Sequence, residues 1–581
     1  MKTFKCFFLL PILLILNFHN CNSQKTENVS TVDTINAVRG DWVVIRIMSE
    51  PQSLNPILAA DVESDEIDNY IYESLNSIDA ESYELIPQLA ELPIVSDDHL
   101  TYTYHLKKTN KFSDGHSLTG VDVVFTIKAL KNPFIEDAAL RYYYLNIKSA
   151  EVDPDDPYTV KINLLNPSWK GIYELSLLKI CPKHILDPSG LTDKITWNEM
   201  GDRNLAKRNS DIQKFADFFN SEDVSFNPKY LIGSGPYELE KWEKNIVINL
   251  KRNDNYNGGV PSYPDKLEFK VIQDNSQAVV YAKNKEIDVM YVINPVDFYQ
   301  NLNNPQEFNL VKAEPVEMVY SYLAWNELNP LFQDKNVRLA LSYCVDREKI
   351  INEVLLGGAV SIQSPVFYMN KKYLNSDLPV ITYELEKAKK LFNDAGWNLN
   401  SNGFLEKEIN GKKTEFKFTF LSNINLIRKN IVLMIIDDLK NVGIQADILV
   451  KDWSIYLDKT KKKNYDATYG TWLLSISPDD PYTIWHSSQA SGEGANYVNF
   501  INTESDQLIE QYRSEFDESK RIEILKKWQK LIYDEQPYTF LWSTKGRYIY
   551  NDRFKNVRWY CKSPCPNYNE WWVPKDKQKY K

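Results

Sequence analysis

Residues 233–259 read GSGPYELEKWEKNIVINLKRNDNYNGG, and they decide the fold. Gly233 and Gly235 permit φ above zero, and Pro236 fixes the turn that follows. From Tyr237 to Trp242 apolar and polar residues alternate, and residues 246–250 form a compact apolar run. The two predict a hairpin. Asn255-Tyr256-Asn257-Gly258-Gly259 marks a turn, and Leu267, Phe269 and Val271 recur at period two in a third strand. Asp274 or Ser276 caps a short helix that ends before Lys285-Glu286-Ile287-Asp288-Val289. One lobe is finished here, and the chain crosses to another.

The 581 residues are 43% hydrophobic and 25% charged, without a low-complexity tract. That is enough to bury a large core in roughly three or four domain-sized units. A net charge of −11 and a pI near 5.3 argue against a nucleic-acid surface, which needs a basic footprint. Lys2 and Lys5 precede an apolar stretch, residues 7–16, too short to span a bilayer as a mature helix. Phe18-His19-Asn20-Cys21-Asn22 follows, then a polar stretch to Gly40. This resembles a bacterial lipoprotein signal in which Cys21 is lipidated, with 1–21 as signal peptide and 22–40 as tether. A simple secreted protein with an incidental Cys21 is the other reading. Six cysteines are few for this length and imply no disulfide scaffold. Cys344 falls on the apolar face of a helix, and Cys561 and Cys565 either close a small loop or stay free thiols.

Elsewhere, residues 42–47 read as a strand and 64–75 as a helix. Tyr102, Tyr104 and Leu106 alternate with Thr101, Thr103 and His105 in a strand, residues 111–115 turn, and 119–130 have helical spacing. Asp114, His116 and Asp122 are turn and cap residues on this reading. Asp334 caps a helix, and Asp346 caps a second that stops at Gly357-Gly358. A strand at 416–421, a helix at 428–442 and a strand at 444–450 make a parallel βαβ unit. The last helix spans 519–533, and 540–550 and 554–560 read as strands.

Three passages carry a resemblance. They are the opening stretch with its Glu286-Ile287-Asp288-Val289, TYTYHLKKTNKFSDGHSLTGVDVVFTIKAL at 101–130, and NELNPLFQDKNVRLALSYCVDREKI at 326–350. Together with Pro182-Lys183-His184 they resemble the family 5 extracellular solute-binding proteins, the binding components of peptide, dipeptide and nickel ABC importers. Members usually carry Gly just before Glu-Ile-Asp. Lys285 stands there, and Asn284 is expected to take the left-handed conformation instead. The resemblance implies an α/β fold of the type II periplasmic binding protein kind, with two main lobes and a smaller inserted domain hinged around a central cleft. Domain I would comprise 41–75, 179–289 and 536–581, the inserted domain II 76–178, and domain III 290–535. Hinges would lie near 287–295 and 536–542. Arg338 reads as a structural arginine.

In peptide binders of that family, a Trp in the third lobe is followed three positions on by an aspartate that pairs with the ligand's α-amino group. An Asp/Glu-Pro dipeptide comes shortly after. Here Trp472 and Asp480-Pro481 match, but the third position is Ser475 and two extra residues lie between. A serine cannot supply the charge-assisted pair an ammonium needs. Asp479 replaces it if the longer loop folds back. The alternatives are a core tryptophan at Trp472 and a loop cap at Asp480. Trp485, Trp542 and Tyr142 or Tyr143 are further candidates for cleft-lining aromatics.

An enzyme should leave traces, and the chain has no Gly-x-Ser-x-Gly, His-Glu-x-x-His, phosphate loop or Gly-x-Gly-x-x-Gly. Its six histidines are scattered rather than spaced as ligands, and Asp479-Asp480 is one carboxylate pair among 79 acidic residues. The expectation is a monomeric, lipid-anchored receptor of the periplasm or cell envelope, without catalytic residues, cofactor or metal. It would capture a short peptide and dock on a membrane permease. Rival readings are the same fold holding an oligosaccharide or metal chelate, a surface hydrolase of glycans or peptides, and a sensory or chaperone-like receptor with no transporter.

Overall fold

Five apolar residues in six make Trp42–Ile47 a strand with both faces covered, which places it inside a sheet rather than at its edge. In the computed structural model it sits fourth of seven, in the order Leu310–Ala313, Tyr548–Asn551, Val289–Tyr291, Trp42–Ile47, Lys266–Val271, Val247–Arg252, Tyr237–Glu243. The structure describes residues 37–580 apart from 60, 137–140, 261, 476–477, 492–493 and 562–564. The signal peptide at 1–21, lipidation at Cys21 and most of the tether lie outside the described residues.

The opening stretch folds as its pattern dictates. Tyr237–Glu243 and Val247–Arg252 form the hairpin, and Lys266–Val271 follows beside them, parallel to Trp42–Ile47. Asp274 caps the short helix Asn275–Lys283 by accepting the Gln277 N–H. The left-handed residue is Lys285 itself, at φ 65°, and not Asn284, which stays right-handed at φ −80°. Asn284 still donates its N–H back to Val280 at 2.9 Å, so the helix turn ends one residue later than expected.

The insert is a four-stranded sheet, Ile94–Val95, Thr101–His105, Asp156–Leu164, Ile147–Asp153, covered by the helix Gly120–Lys131. Thr119 and Asp122 start that helix with a capping box. A six-stranded sheet builds the third lobe, in the order Ala359–Ser361, Tyr538–Thr544, Val319–Trp325, Ala467–Leu473, Lys417–Asn423, Gln445–Lys451. Its last two strands are parallel and joined by the helix Leu426–Lys440, as the βαβ pattern predicts. Arg338 is buried and donates to the carbonyls of Phe332, Gln333 and Glu535, a structural role. Cys344 is buried, and Cys561 and Cys565 are free thiols.

The chain crosses between the two large sheets at residues 314–318 and 545–547. Both crossings come later than the sequence suggests at 287–295 and 536–542, because Val289–Tyr291 and Leu310–Ala313 still belong to the first sheet while Tyr538–Thr544 belongs to the second. The run 540–550 splits at Gly546, whose N–H donates to Pro315 O at 2.7 Å and where a Cβ would lie 3.0 Å from Pro315 Cγ. Residues 554–560 make isolated bridges, Lys555 to Trp572 and Trp559 to Pro566, instead of a strand.

Asp288 closes the first lobe. Its Oδ2 accepts the Val44 N–H at 3.0 Å and Arg553 Nη2 at 2.8 Å, Arg553 Nη1 bonds its Oδ1, and Arg553 Nε reaches Asp41 Oδ2 at 3.1 Å. All three side chains are buried. Removing one partner of a buried pair leaves an uncompensated charge and costs about 3–5 kcal/mol. Asp288→Ala should therefore lower stability by about that amount, read as a fall in the urea midpoint of the transition that unfolds the first lobe. A loss under about 1 kcal/mol, typical of an exposed pair, would show that the cluster does not hold the sheet.

Candidate functional site

Trp472 stands near the end of the Ala467–Leu473 strand, opposite Tyr320. Gly470, two residues earlier on the same face, leaves room for the Tyr322 ring, since a Cβ there would meet Tyr322 Cζ at 2.4 Å. Tyr322 stacks on Tyr538 at 4.0 Å and lies parallel to Trp472 at 6.5 Å, and Tyr497 lies parallel to Trp472 at 6.0 Å. Trp472 is thus a partly buried member of an aromatic stack. It lines a cavity of about 80 Å³ with Tyr320, Asp479, Trp485 and Trp528. A larger cavity of about 500 Å³ lies between the lobes, where Ile57 and Asp68 of the first lobe face Lys170, Tyr173 and Glu174 of the insert and Ser475 of the third lobe.

The Ser475 N–H bonds to the Asp479 carboxyl. Burial raises that carboxyl to about 7, against Lys170 and the Ser475 N–H, which favour its charged form. Asp68 is raised by burial to about 7 as well, although it pairs with Lys179. Burial also raises Glu174, with Lys170 opposing. Asp480 is a structural cap. Its Oδ1 accepts the Tyr482 N–H at 3.0 Å, and its Oδ2 pairs with Arg513 Nε at 3.0 Å, whose guanidinium lies 4.1 Å from the Tyr482 ring centre.

The remaining candidates separate. Trp485 is 2% exposed, packed on Tyr538 at 4.6 Å and Trp528 at 6.0 Å, and forms the floor of the small cavity. Trp542 is fully buried in the core beneath the third lobe's sheet and does not face the cleft, because its side of the Tyr538–Thr544 strand is covered by helices. Tyr142 and Tyr143 fall in the short helix Arg141–Tyr144, and their side chains lie outside the described residues. Sequence reasoning missed Tyr320, Lys170 and Glu174. The buried Tyr320 hydroxyl has no hydrogen-bond partner among the described residues and borders the same small cavity as Asp479. No local pattern marks these three, since they join the site through tertiary contact.

The insert reaches over the cleft to the third lobe. Trp169 meets Tyr512 edge-on at 5.2 Å beneath the Arg521 guanidinium, His99 stacks on Phe516 at 3.8 Å, and Lys372 bridges Glu84 at 2.7 Å and Glu518 at 2.9 Å. Ile78, Trp169 and Tyr173 share one hydrophobic cluster with Tyr320, Trp485 and Tyr538.

Two α/β lobes joined by two short crossings, with a cavity of about 500 Å³ between them and a smaller aromatic-lined one beside it in the third lobe, define a solute receptor of the binding-protein class. Residues 84–494 match the model for bacterial extracellular solute-binding proteins, family 5 middle, and the chain belongs to that family. It is 31% identical over 579 residues to the oligopeptide-binding protein AppA of Bacillus subtilis, covering 98% of each chain. It is 28% identical over 517 residues to the dipeptide-binding protein of Escherichia coli, covering 86% of this chain and 89% of that one. The solved structure of Bacillus subtilis AppA in complex with a nonapeptide superposes with a TM-score of 0.69 at 29% identity, over 93% of this chain and all of that one.

The two tryptophans should behave differently. Trp542→Ala is expected to cost about 3–5 kcal/mol of stability, and Trp472→Ala less than about 2, both read by chemical unfolding of the guest-free protein. Equal losses would put Trp472 in the core rather than in the wall of the cleft.

Proposed function

We propose that this protein is the substrate-binding component of an ABC importer and that its guest is a short peptide. The observation that carries this reading is the Asp479 carboxyl, which is half-buried near exposed Ser475, bonded by a main-chain N–H and in no ion pair with a described residue. It suits the α-amino group of a peptide, in place of the aspartate that resemblance would put at Ser475. The cavity of about 500 Å³ falls in the usual range for small-molecule sites and suits a guest of a few residues. Relatives named for oligopeptides and dipeptides support the same class of guest.

The receptor closes by bending at residues 314–318 and 545–547, and the closed form docks on the permease. It alters no bond in its guest. Domain I then holds the seven-stranded sheet, domain II the insert, and domain III the six-stranded sheet. Lipidated Cys21 anchors a monomer to the membrane through the 22–40 tether. No helix of the described residues is long and apolar enough to cross a membrane.

Peptide affinity should depend on pH with a definite sign. Asp479 titrates near 7 when the cleft is empty, and an ammonium partner lowers that value in the complex, so binding releases a proton below pH 7. Affinity should fall by up to about tenfold per pH unit as the pH drops below 7, and again above about 8 as the peptide loses its own proton. Asp479→Asn should weaken binding by about tenfold or more at neutral pH and flatten the acid limb. Calorimetric titration with short peptides checks both, and mass spectrometry of the released guest checks that it leaves intact. Wild-type affinity that stays level through the acid range, or a guest recovered cleaved, would overturn the assignment.

A further inference from the structure

Away from the cleft, the 111–115 turn of the insert meets the short helix Lys183–Leu186, by which the chain returns to the first lobe. Asp114, His116 and His184 come together there, each offering one ligand atom, all within 4.8 Å of one another. Asp114 Oδ2 is 2.7 Å from His184 Nε2 and 3.9 Å from His116 Nδ1, and the two imidazoles stack at 3.9 Å.

Both supports are fixed. Asp114 Oδ1 accepts the His116 N–H at 3.0 Å, which leaves Oδ2 turned toward the rings. Fully buried Phe112 anchors the turn, donating its N–H to His116 O and accepting the Gly115 N–H, both at 2.9 Å. On the other side, Asp122 accepts the Lys183 N–H at 3.0 Å, and the Lys183 ammonium is drawn away to Asp193 at 2.9 Å. That cation therefore does not compete for the Asp114 carboxylate.

A tetrahedral zinc ion about 2.0–2.1 Å from each ligand sets neighbouring ligand atoms about 3.3 Å apart. The distances of 2.7 and 3.9 Å bracket that value, and the His116 side chain, 66% exposed, is free to rotate into place. We infer that Asp114, His116 and His184 form a binding site for a divalent transition-metal ion of the zinc type. Two imidazole nitrogens with one carboxylate select zinc, cobalt or nickel over magnesium or calcium, and water completes the shell. The ion ties the turn of the insert to a helix 70 residues further along the chain, so it stabilises that junction without entering the cleft. The inference stands apart from the identity of the guest.

The test is calorimetric titration of the untagged full chain with Zn²⁺, and titration with Co²⁺ followed by its visible absorption. One site is expected in the wild type, weakened by about tenfold or more in His116→Ala and giving no tetrahedral Co²⁺ spectrum in Asp114→Asn. Zn²⁺ should raise the unfolding temperature of the wild type and leave that of His116→Ala unchanged, while affinity for the cleft's guest is the same in both. His116→Ala removes an exposed ring and leaves the Asp114–His184 hydrogen bond, so the fold is retained. No binding by the wild type at micromolar Zn²⁺ overturns the inference, and so does unchanged affinity in His116→Ala, which would place the ion elsewhere.

Discussion

The buried cluster of Asp288, Arg553 and Asp41 is the constraint on which the first lobe depends. Arg553 and Asp41 lie 512 residues apart in sequence, so the sheet is assembled from the two ends of the described chain and the stretch between. Apolar burial would pull these segments together in more than one register. A charge pair that must be fully desolvated, with the Val44 N–H on the same carboxylate, is satisfied in one arrangement only. The third lobe, by contrast, runs from Val319 to Thr544 without interruption. It can therefore form before the first lobe is complete, whereas Arg553 finds Asp288 only after the intervening chain has been made, the slow and non-local kind of contact.

The two crossings join these bodies without merging them. Arg547 donates to the carbonyls of Val292 and Ile293 at 3.0 and 2.8 Å and so holds one crossing to the first sheet, while Gly546 lies against Pro315 and binds the crossings to each other. Across the cleft, the shared burial of Ile78, Trp169 and Tyr173 draws the insert to the third lobe, and the individual polar and ring contacts add modestly to it. The Lys372 bridge is partly exposed and worth at most about 1 kcal/mol, and aromatic pairs such as His99 with Phe516 add about 0.5–1.5 kcal/mol each. On the proposed reading, a guest that touches both sides adds to these contacts and so favours the closed form.

Much of this was legible in the sequence because it is local. Asp122, Asp334 and Asp346 each cap the helix that their spacing predicts, and of the two residues offered for the helix after residue 271, Asp274 does so. The alternation at residues 237–242 and the βαβ unit were equally plain. The crossings were not, since 540–550 reads as one strand with only a short polar interruption at Ser543-Thr544-Lys545-Gly546-Arg547, and nothing in that interruption says that the chain changes sheet there. Trp472 and Trp542 illustrate the same limit. Both are strand tryptophans, and which face is covered depends on helices packed from elsewhere. The left-handed turn showed as a missing glycine, but the helix hydrogen bond that keeps Asn284 right-handed did not. His116 and His184 looked scattered because the chain brings them together only through the return of the insert.

On the proposed reading, the loop that carries Ser475 and Asp479 changes more than the position of one charge. A carboxylate at the end of a strand, in water, stays ionised and rejects any guest without a positive partner. Asp479 is half-buried, and burial raises its carboxyl to about 7, which brings the protonated form within reach near neutral pH. A protonated carboxyl donates a hydrogen bond, as a serine hydroxyl does, and can meet a carbonyl oxygen as well as an ammonium. On the proposed reading, the two-residue extension therefore trades a strict demand for a charged N-terminus for tolerance at that subsite. The hydroxyl of Tyr320, without a partner among the described residues, borders the same cavity and fits that exchange, because it adds a neutral donor or acceptor and no fixed charge. On that reading, discrimination among guests falls to contact area, along Trp472 in the smaller cavity and Tyr173 in the larger one, rather than to the charge at Asp479.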